Sequence, residues 1–342
     1  MAFDNAVDTI TLEEIVPRVV DQVLRTNRLA TKMLSKTKRF GAATKDFPIK
    51  YKAGTPITSF IGMDFLPTVF TDTRVSMKFN PKWNAANVAL AGTDMMANNT
   101  AAKVLDLTEI EMISRAQDLS DYIGTEMWGD GTGNNNKDML GIQALVDDGT
   151  HVQTIGGLSR TTYPTLQSTI TVTSVLSLAA MRTLYNAIGD LGVFPTRSYT
   201  DFPSWALYEN LLQAQEKIYK EVNIVPNYKG YEGFGGLMFA GMEIVPDRKS
   251  IQGQMTFLEE NFIDVYALDQ ELPVFTEARK VEVASKLFTG NAYNEVGNLG
   301  FYWTGFIKTT TQFAFNSFII LAANFLTDNP RRHGALTQIQ GI

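Results

Sequence analysis

The sequence predicts an α+β fold, and three observations carry that expectation. A helical apolar stripe runs unbroken from Ala101 to Trp128. Two strand-like alternations, around Phe47 and Phe79, flank a turn-rich apolar segment. A third stretch, Phe313–Leu326, is apolar on both faces, as a central buried strand requires. With 342 residues, 44% of them hydrophobic and 19% charged, the chain is long and apolar enough to bury a substantial core.

Taken in order, Thr11–Ser35 reads as an amphipathic helix, kinked at Pro17, with Leu12, Ile15, Val19, Val20, Val23 and Leu24 on one stripe. Phe47, Ile49 and Tyr51 then alternate with polar residues, and Pro48 marks an edge strand. Val75, Met77 and Phe79 repeat the pattern. Together they form a two-stranded ribbon whose tip carries Phe60, Ile61, Met63, Phe65, Leu66, Val69 and Phe70. An isolated ribbon is marginal in water. The tip therefore folds back on its own core or, if it projects, needs a partner's surface.

The helix Ala101–Trp128 has Asn99 or Thr100 as cap and spans about 42 Å, far above the average helix length. Helices are expected at Ser174–Ile188, ended by Gly189, and at Ser204–Tyr219. Strands are expected at Leu237–Val245, Met255–Leu258, Phe262–Leu268 and Val281–Leu287, and the chain closes with a mostly polar tail, "DNPRRHGALTQIQGI". "MAFDNAVDTI" lacks the basic start and apolar run of a signal peptide, and Phe313–Leu326 is too short and too polar to span a bilayer.

The absence of cysteine rules out disulfides, thiolate metal sites and a cysteine nucleophile, and two histidines, His151 and His333, leave little for zinc or proton-relay chemistry. The net charge of −6 does not suit a protein that grips phosphates throughout. One segment departs from it. Arg25, Arg28, Lys32, Lys36, Lys38, Arg39, Lys45, Lys50 and Lys52 face a single acid, Asp46. A basic arm meeting an acidic surface, of another copy of the chain or of a different partner, is one reading. A nucleic-acid contact through residues 25–52 is the alternative, although no aromatic stacking platform accompanies it.

The motifs that could hold chemistry fail in detail. "GDGTGNNN", residues 129–136, starts a dinucleotide pattern but has Asn136 for the third glycine and follows a helix. As a calcium loop it offers Asp130, Thr132 and Asn134 but lacks the glycine and the closing acid. It is expected to end the helix, with Gly129 and Gly131 left-handed, and to lead into a strand near Leu140. "GGLSRT" resembles a nucleophile elbow around Ser159, but Thr161 replaces its last glycine. Glu259–Glu260 and Glu109/Glu111 read as solvated faces. No catalytic residue, cofactor or metal is expected.

The run "EMWGDGTGNNNKDMLGIQALV" resembles the segment after the long helix of tailed-bacteriophage major capsid proteins, where an "NGTG…GL" turn leads into an apolar stretch. "GGLSRTTYPTLQSTI" is similar to the next signature of that family, and "YEGFGGLMFAGMEIVPDRKSIQGQMTFLEENFIDVYAL" to its strand, Gly, strand, "V-x-D", "FLN" pattern. The three occur in the family's order, from about residue 40 onward. The resemblance implies the Hong Kong ninety-seven-type capsid fold: N-terminal arm, extended β-ribbon loop, long spine helix, peripheral and axial domains. On this chain that places the arm at 1–45 and the extended loop at 46–95. The peripheral domain with spine helix falls at 96–175, the axial domain at 176–295, and the peripheral return strand and tail at 296–342.

The function it implies is a non-enzymatic one. Copies self-assemble as pentamers and hexamers into a head shell around double-stranded DNA, in the virion, after assembly in the bacterial host cytoplasm. Its partners would be a separate scaffolding protein, a portal and a decoration protein, with no membrane. Some members carry a cleaved N-terminal scaffold domain. Here the arm starts almost at once, so either scaffolding is a separate protein or the chain is already trimmed, and Met1 favours the first. The inter-subunit contacts expected are the tip residues Phe60, Ile61, Met63, Phe65, Leu66 and Phe70 and the cations Arg25, Arg28, Lys32, Lys36, Lys38 and Arg39.

Overall fold

The longest strand, β15 (Ala314–Thr327), organises the first of two six-stranded sheets. The computed structural model describes residues 27–54, 57–69, 71–98, 107–190, 192–213, 237–268, 302–304, 306–308 and 312–340. β4 (Lys82–Ala91) runs antiparallel to β15 on one side, in register from Ala91↔Ala314 to Lys82↔Ala323. On the other side lie β12 (Ile263–Leu268) and the short β13 (Tyr302–Trp303) and β14 (Ile307–Lys308). Flanked along both edges, β15 needs apolar groups on both faces, and residues 321–327 are all buried. β1 (Lys38–Phe40) extends this sheet, parallel to β12.

Two helices cover the inner face. Helix α1 (Arg28–Ser35) is capped by Asn27, whose side chain accepts from the Ala30 N–H at 2.8 Å. Asn27 is extended (φ −133°, ψ 106°), so the helix expected across Thr11–Ser35 starts afresh at Arg28, and residues 1–26, Arg25 among them, lie outside the described residues. Helix α2 (Gly92–Asn98), which the sequence reading did not anticipate, ends β4. The long helix is described as α3 (Leu107–Glu126), with Ala116, Leu119 and Ile123 buried; its expected cap and first turns are not among the described residues. Gly124 lets α1 come close, since a Cβ there would collide with the Asn27 side chain.

The second sheet has the order β7–β16–β11–β8–β10–β9. Its strands are β7 (Thr169–Val172), β8 (Arg197–Thr200), β9 (Leu237–Phe239), β10 (Met242–Pro246), β11 (Met255–Leu258) and β16 (Gly334–Thr337). It packs with helices α5 (Leu178–Gly189) and α6 (Phe202–Gln213), which join Met181, Leu184, Ile188 and Tyr208 to Phe257 and Leu336 in one core. A single turn, α4 (Ile142–Leu145), and the hairpin of β5 (Thr154–Ile155) and β6 (Leu158–Ser159) belong to the connecting segment.

Several expectations change here. α5 begins at Leu178 behind the cap Ser177, which leaves Val175 exposed. α6 begins at Phe202, before the expected Ser204, and Ile218 is outside the described residues. Leu237–Val245 is a hairpin, turned by the left-handed Ala240 (φ 51°) and Gly241 (φ 88°). The stretch after Gly131 leads into α4, where a strand was expected. The polar tail contains β16, buried in the middle of the second sheet. Val281–Leu287 is not among the described residues. The expected boundaries at 175/176 and 295/296 do not divide the sheets. β7 and β16 join the second sheet, whereas β12, from within 176–295, joins the first. No described helix is long and apolar enough to cross a membrane.

Candidate assembly surfaces

β2 (Lys45–Lys50) and β3 (Arg74–Phe79) form the two-stranded ribbon, Pro48 opposite Ser76. Its base is anchored. The Phe47 ring meets Phe79 at 5.8 Å and Tyr266 at 5.5 Å, Tyr51 meets Tyr163 at 5.0 Å, and Lys78 N–H donates to the Gly156 carbonyl at 2.9 Å. Gly156 (φ +54°) is required there, because a Cβ would strike Met77.

Beyond Thr73 the ribbon loses its pairing. Residues 57–69 carry no strand, only a turn at Ile61–Asp64 in which the Ile61 N–H donates to Asp64 Oδ2 at 2.9 Å. Met63 is 100% and Phe65 103% exposed, with Ile57, Phe60, Ile61, Leu66 and Val69 also open. The described tip residues therefore do not fold onto the chain's own core. Phe70 is outside the described residues.

The basic segment behaves in the opposite way. Lys36 pairs with Glu260 at 3.3 Å and Lys38 with Asp264. The Leu29 N–H donates to buried Asp247 Oδ2 at 2.8 Å, and the Arg28 charge acts on the same carboxylate. Lys32 is partly buried near Glu260, and desolvation pushes its pKa down. Glu260 further accepts from Arg197 Nη1 at 2.9 Å and from the Tyr199 hydroxyl at 3.0 Å, while Arg197 also binds Glu243. Glu259 and Glu260, expected on a solvated face, are both buried. Their distant partners, Arg197 and His333, give no local signal in sequence.

The loops with motif-like sequences make local turn contacts. Gly131 is left-handed (φ +77°), as expected, but Gly129 is not; Asn134, Asn135 and Asn136 supply the other left-handed positions (φ 49°, 59° and 62°). Asp130 accepts from the Thr132 N–H at 2.9 Å and from its hydroxyl at 2.7 Å, which holds its carboxyl below the usual range. Next to the supposed elbow, Arg160 is wholly buried. It donates to the carbonyls of Ala144 (2.7 Å), Val152 (2.7 Å) and Leu166 (3.1 Å) and to Asp147 Oδ2 (3.3 Å), pinning the 144–168 segment. Gly156 and Gly157, both left-handed, simply turn the β5–β6 hairpin.

His151 is exposed, while His333 is buried and its pKa falls to about 3 through desolvation. Its Nδ1 accepts from the Glu259 N–H at 3.3 Å, so Nε2 carries the proton that faces Thr327 Oγ1 at 3.0 Å. Among the described residues no group of three or more His, Asp or Glu side chains is placed to hold a metal.

No protein-family model matches the chain, and no curated protein sequence matches it. Solved structures do match in fold. The cyanophage A-1(L) capsid asymmetric unit superposes with a TM-score of 0.71 at 12% identity, covering 98% of this chain and 99% of that one. The capsid of a native GTA particle gives 0.61 at 8% identity over 99% of both chains. An encapsulin complex from Synechococcus elongatus PCC 7942 gives 0.60 at 9% identity, covering 98% and 95%. The fold is therefore the α+β, Hong Kong ninety-seven-type capsid fold that the sequence resemblance implied.

Proposed function

We propose that the chain is the major capsid protein of a tailed phage. Copies associate into pentamers and hexamers that close a head shell around double-stranded DNA. The observation that carries this reading is the likeness in fold, end to end, to capsid subunits. Ring-shaped capsomers need heterologous contacts that close, and the exposed apolar tip is suited to one. In this reading residues 46–95 reach over a neighbouring subunit and bury Phe60, Ile61, Met63, Phe65, Leu66 and Phe70 there. Residues 1–45 act as the arm, with Arg25, Arg28, Lys32 and Arg39, while Lys36 and Lys38 hold it to the chain's own Glu260 and Asp264, and 176–295, β12 excepted, surround the capsomer centre. A separate scaffolding protein, a portal and a decoration protein are the remaining partners, with assembly in the host cytoplasm. The net charge of −6 suits a shell that encloses DNA without adhering to it.

The nucleic-acid reading of residues 25–52 is not supported, since Lys36 and Lys38 already face the chain's own carboxylates. Electron microscopy of the purified full-length protein tests the proposal. Capsomer rings or closed shells are expected. A monodisperse monomer that binds DNA with a steep salt dependence would overturn it and restore the alternative.

A further inference from the structure

At the C-terminal turn of α3, Glu126 is only 6% exposed. Its Oε2 accepts from Asn84 Nδ2 of β4 at 2.5 Å, while Oε1 is buried without a hydrogen-bond partner. The groups around it come from three elements. Its own helix contributes Tyr122, β4 contributes Asn84 and Lys82, and the segment after the helix contributes Lys137, Asp138 and the Met139 N–H. Lys82 is engaged with the Asn136 carbonyl. The charge acting on Glu126 is Asp138, of the same sign, while Asn84, the Met139 N–H and the Tyr122 hydroxyl favour the ionised form more weakly than burial opposes it. Asp138 Oδ1 in turn accepts from Asn134 Nδ2 at 2.6 Å and from the Tyr122 hydroxyl at 3.4 Å.

The turn that carries these groups is held in an uncommon shape. Asn134, Asn135 and Asn136 are left-handed in succession, a conformation disfavoured for any residue with a Cβ and tolerated best by asparagine. Beside it lies an open groove of about 420 Å³, lined by Trp83, Asn84, Tyr122, Asn134, Asn135 and Asp138. A buried carboxylate, a like charge on the covering turn and a backbone that gains by relaxing all meet at one place.

We propose that Glu126 is a proton-operated latch, which when protonated lets the asparagine turn close on the end of α3 and when ionised drives that turn open. Ionisation sets two carboxylates against each other, with Lys82 committed elsewhere. The turn carries Asp138, so its departure separates the charges, admits water to Glu126 Oε1 and releases the three asparagines, at the expense of the Lys82–Asn136 contact. The idea concerns the single chain and holds whether or not the chain builds shells. Burial, reinforced by Asp138, lifts the Glu126 carboxyl to about 7, which puts the upper end of the transition near neutrality.

Hydrogen exchange read by mass spectrometry on the full-length protein tests it, following peptides across 129–140 from acid to mildly alkaline pH after correction for intrinsic rates. Protection should fall at least about ten-fold as pH rises from about 4.5 to about 7, the window between the ordinary and the folded pKa of Glu126. Glu126→Gln, neutral throughout, should keep the turn closed across the range. Asp138→Asn removes the like charge and should move the midpoint to lower pH, a reading that survives should Glu126→Gln fail to fold. Flat protection in the wild type, opening of Glu126→Gln at the wild-type midpoint, or an unmoved midpoint in Asp138→Asn would each overturn the latch.

Discussion

The ribbon tip and the 28–39 segment looked alike in sequence, each a local excess awaiting a partner, and the structure treats them oppositely. The tip leaves its apolar groups in water, with Met63 and Phe65 fully exposed. The segment delivers Lys36 to Glu260, Lys38 to Asp264 and the start of α1 to Asp247, all within one chain. The difference follows from reach and geometry. A long cation needs one carboxylate a few ångströms away, and the β11–β12 region supplies several. Seven apolar side chains need a surface, and a two-stranded ribbon extending past Thr73 has none. The Lys36 and Lys38 charges meet carboxylates within the chain, and the apolar area of the tip stays exposed.

The comparison breaks most visibly at the tip. Met63→Ser with Phe65→Ser should abolish shells or rings in electron micrographs, because each buried apolar group there contributes about 1.5–3 kcal/mol per contact. The melting temperature of the unassembled chain should stay the same. A mutant that assembles normally but melts early would put the tip on the chain's own core.

Asp247→Ala probes the other region. It removes the acceptor of both the Leu29 and Lys249 N–H groups at a site 1% exposed and leaves buried donors unpaired. The urea midpoint should drop by the equivalent of about 2–3 kcal/mol, whether or not shells form. Gly131→Val comes next. Its φ of +77° and the nearby Leu140 side chain make it about 1–2 kcal/mol destabilising in thermal melts, while Asp130→Ala should cost less.

Smallest is Lys36→Met with Lys38→Met. Partly exposed pairs contribute about 0–1 kcal/mol each, so monomer stability should shift slightly and lose some salt dependence. A large assembly defect in that double mutant, with monomer stability intact, would return these lysines to the inter-subunit surface.

Proton linkage adds a sign to the same contrast. Glu126 has its folded pKa raised to about 7 from 4.5, so its contribution to stability is full below about 4.5 and is lost as pH rises toward 7. Wild-type stability relative to Glu126→Gln should therefore decline from pH 5 to pH 8. A flat difference would mean that Glu126 titrates normally.

What was legible in the sequence had a period long enough to read. Phe47, Ile49, Val75, Met77 and Phe79 alternate and form the ribbon; residues 314–327 lack a polar face and became the central strand. What was missed lacked such a period or depended on distant partners. β16 is four residues, Gly334–Thr337, inside a polar run, and only its neighbours β7 and β11 make it a strand. The hairpin after Leu237 turns on Ala240–Gly241, which carries no asparagine or aspartate signal. Of the candidate surface, the tip was visible as composition, but its exposure depended on where Tyr51 and Thr73 leave the body, a tertiary fact. Arg160, Glu126 and Glu260 were invisible because a buried charge announces itself only through groups far along the chain.

The position of β16 also sets a clock. It fills the gap between β7 and β11, so the second sheet stays open while the residues after β15 are still being synthesised. Until then the nascent chain offers two unpaired strand edges but no finished second core, since Leu336 belongs to it. Without β16 the first sheet keeps all its strands, whereas the second is cut in two between β7 and β11.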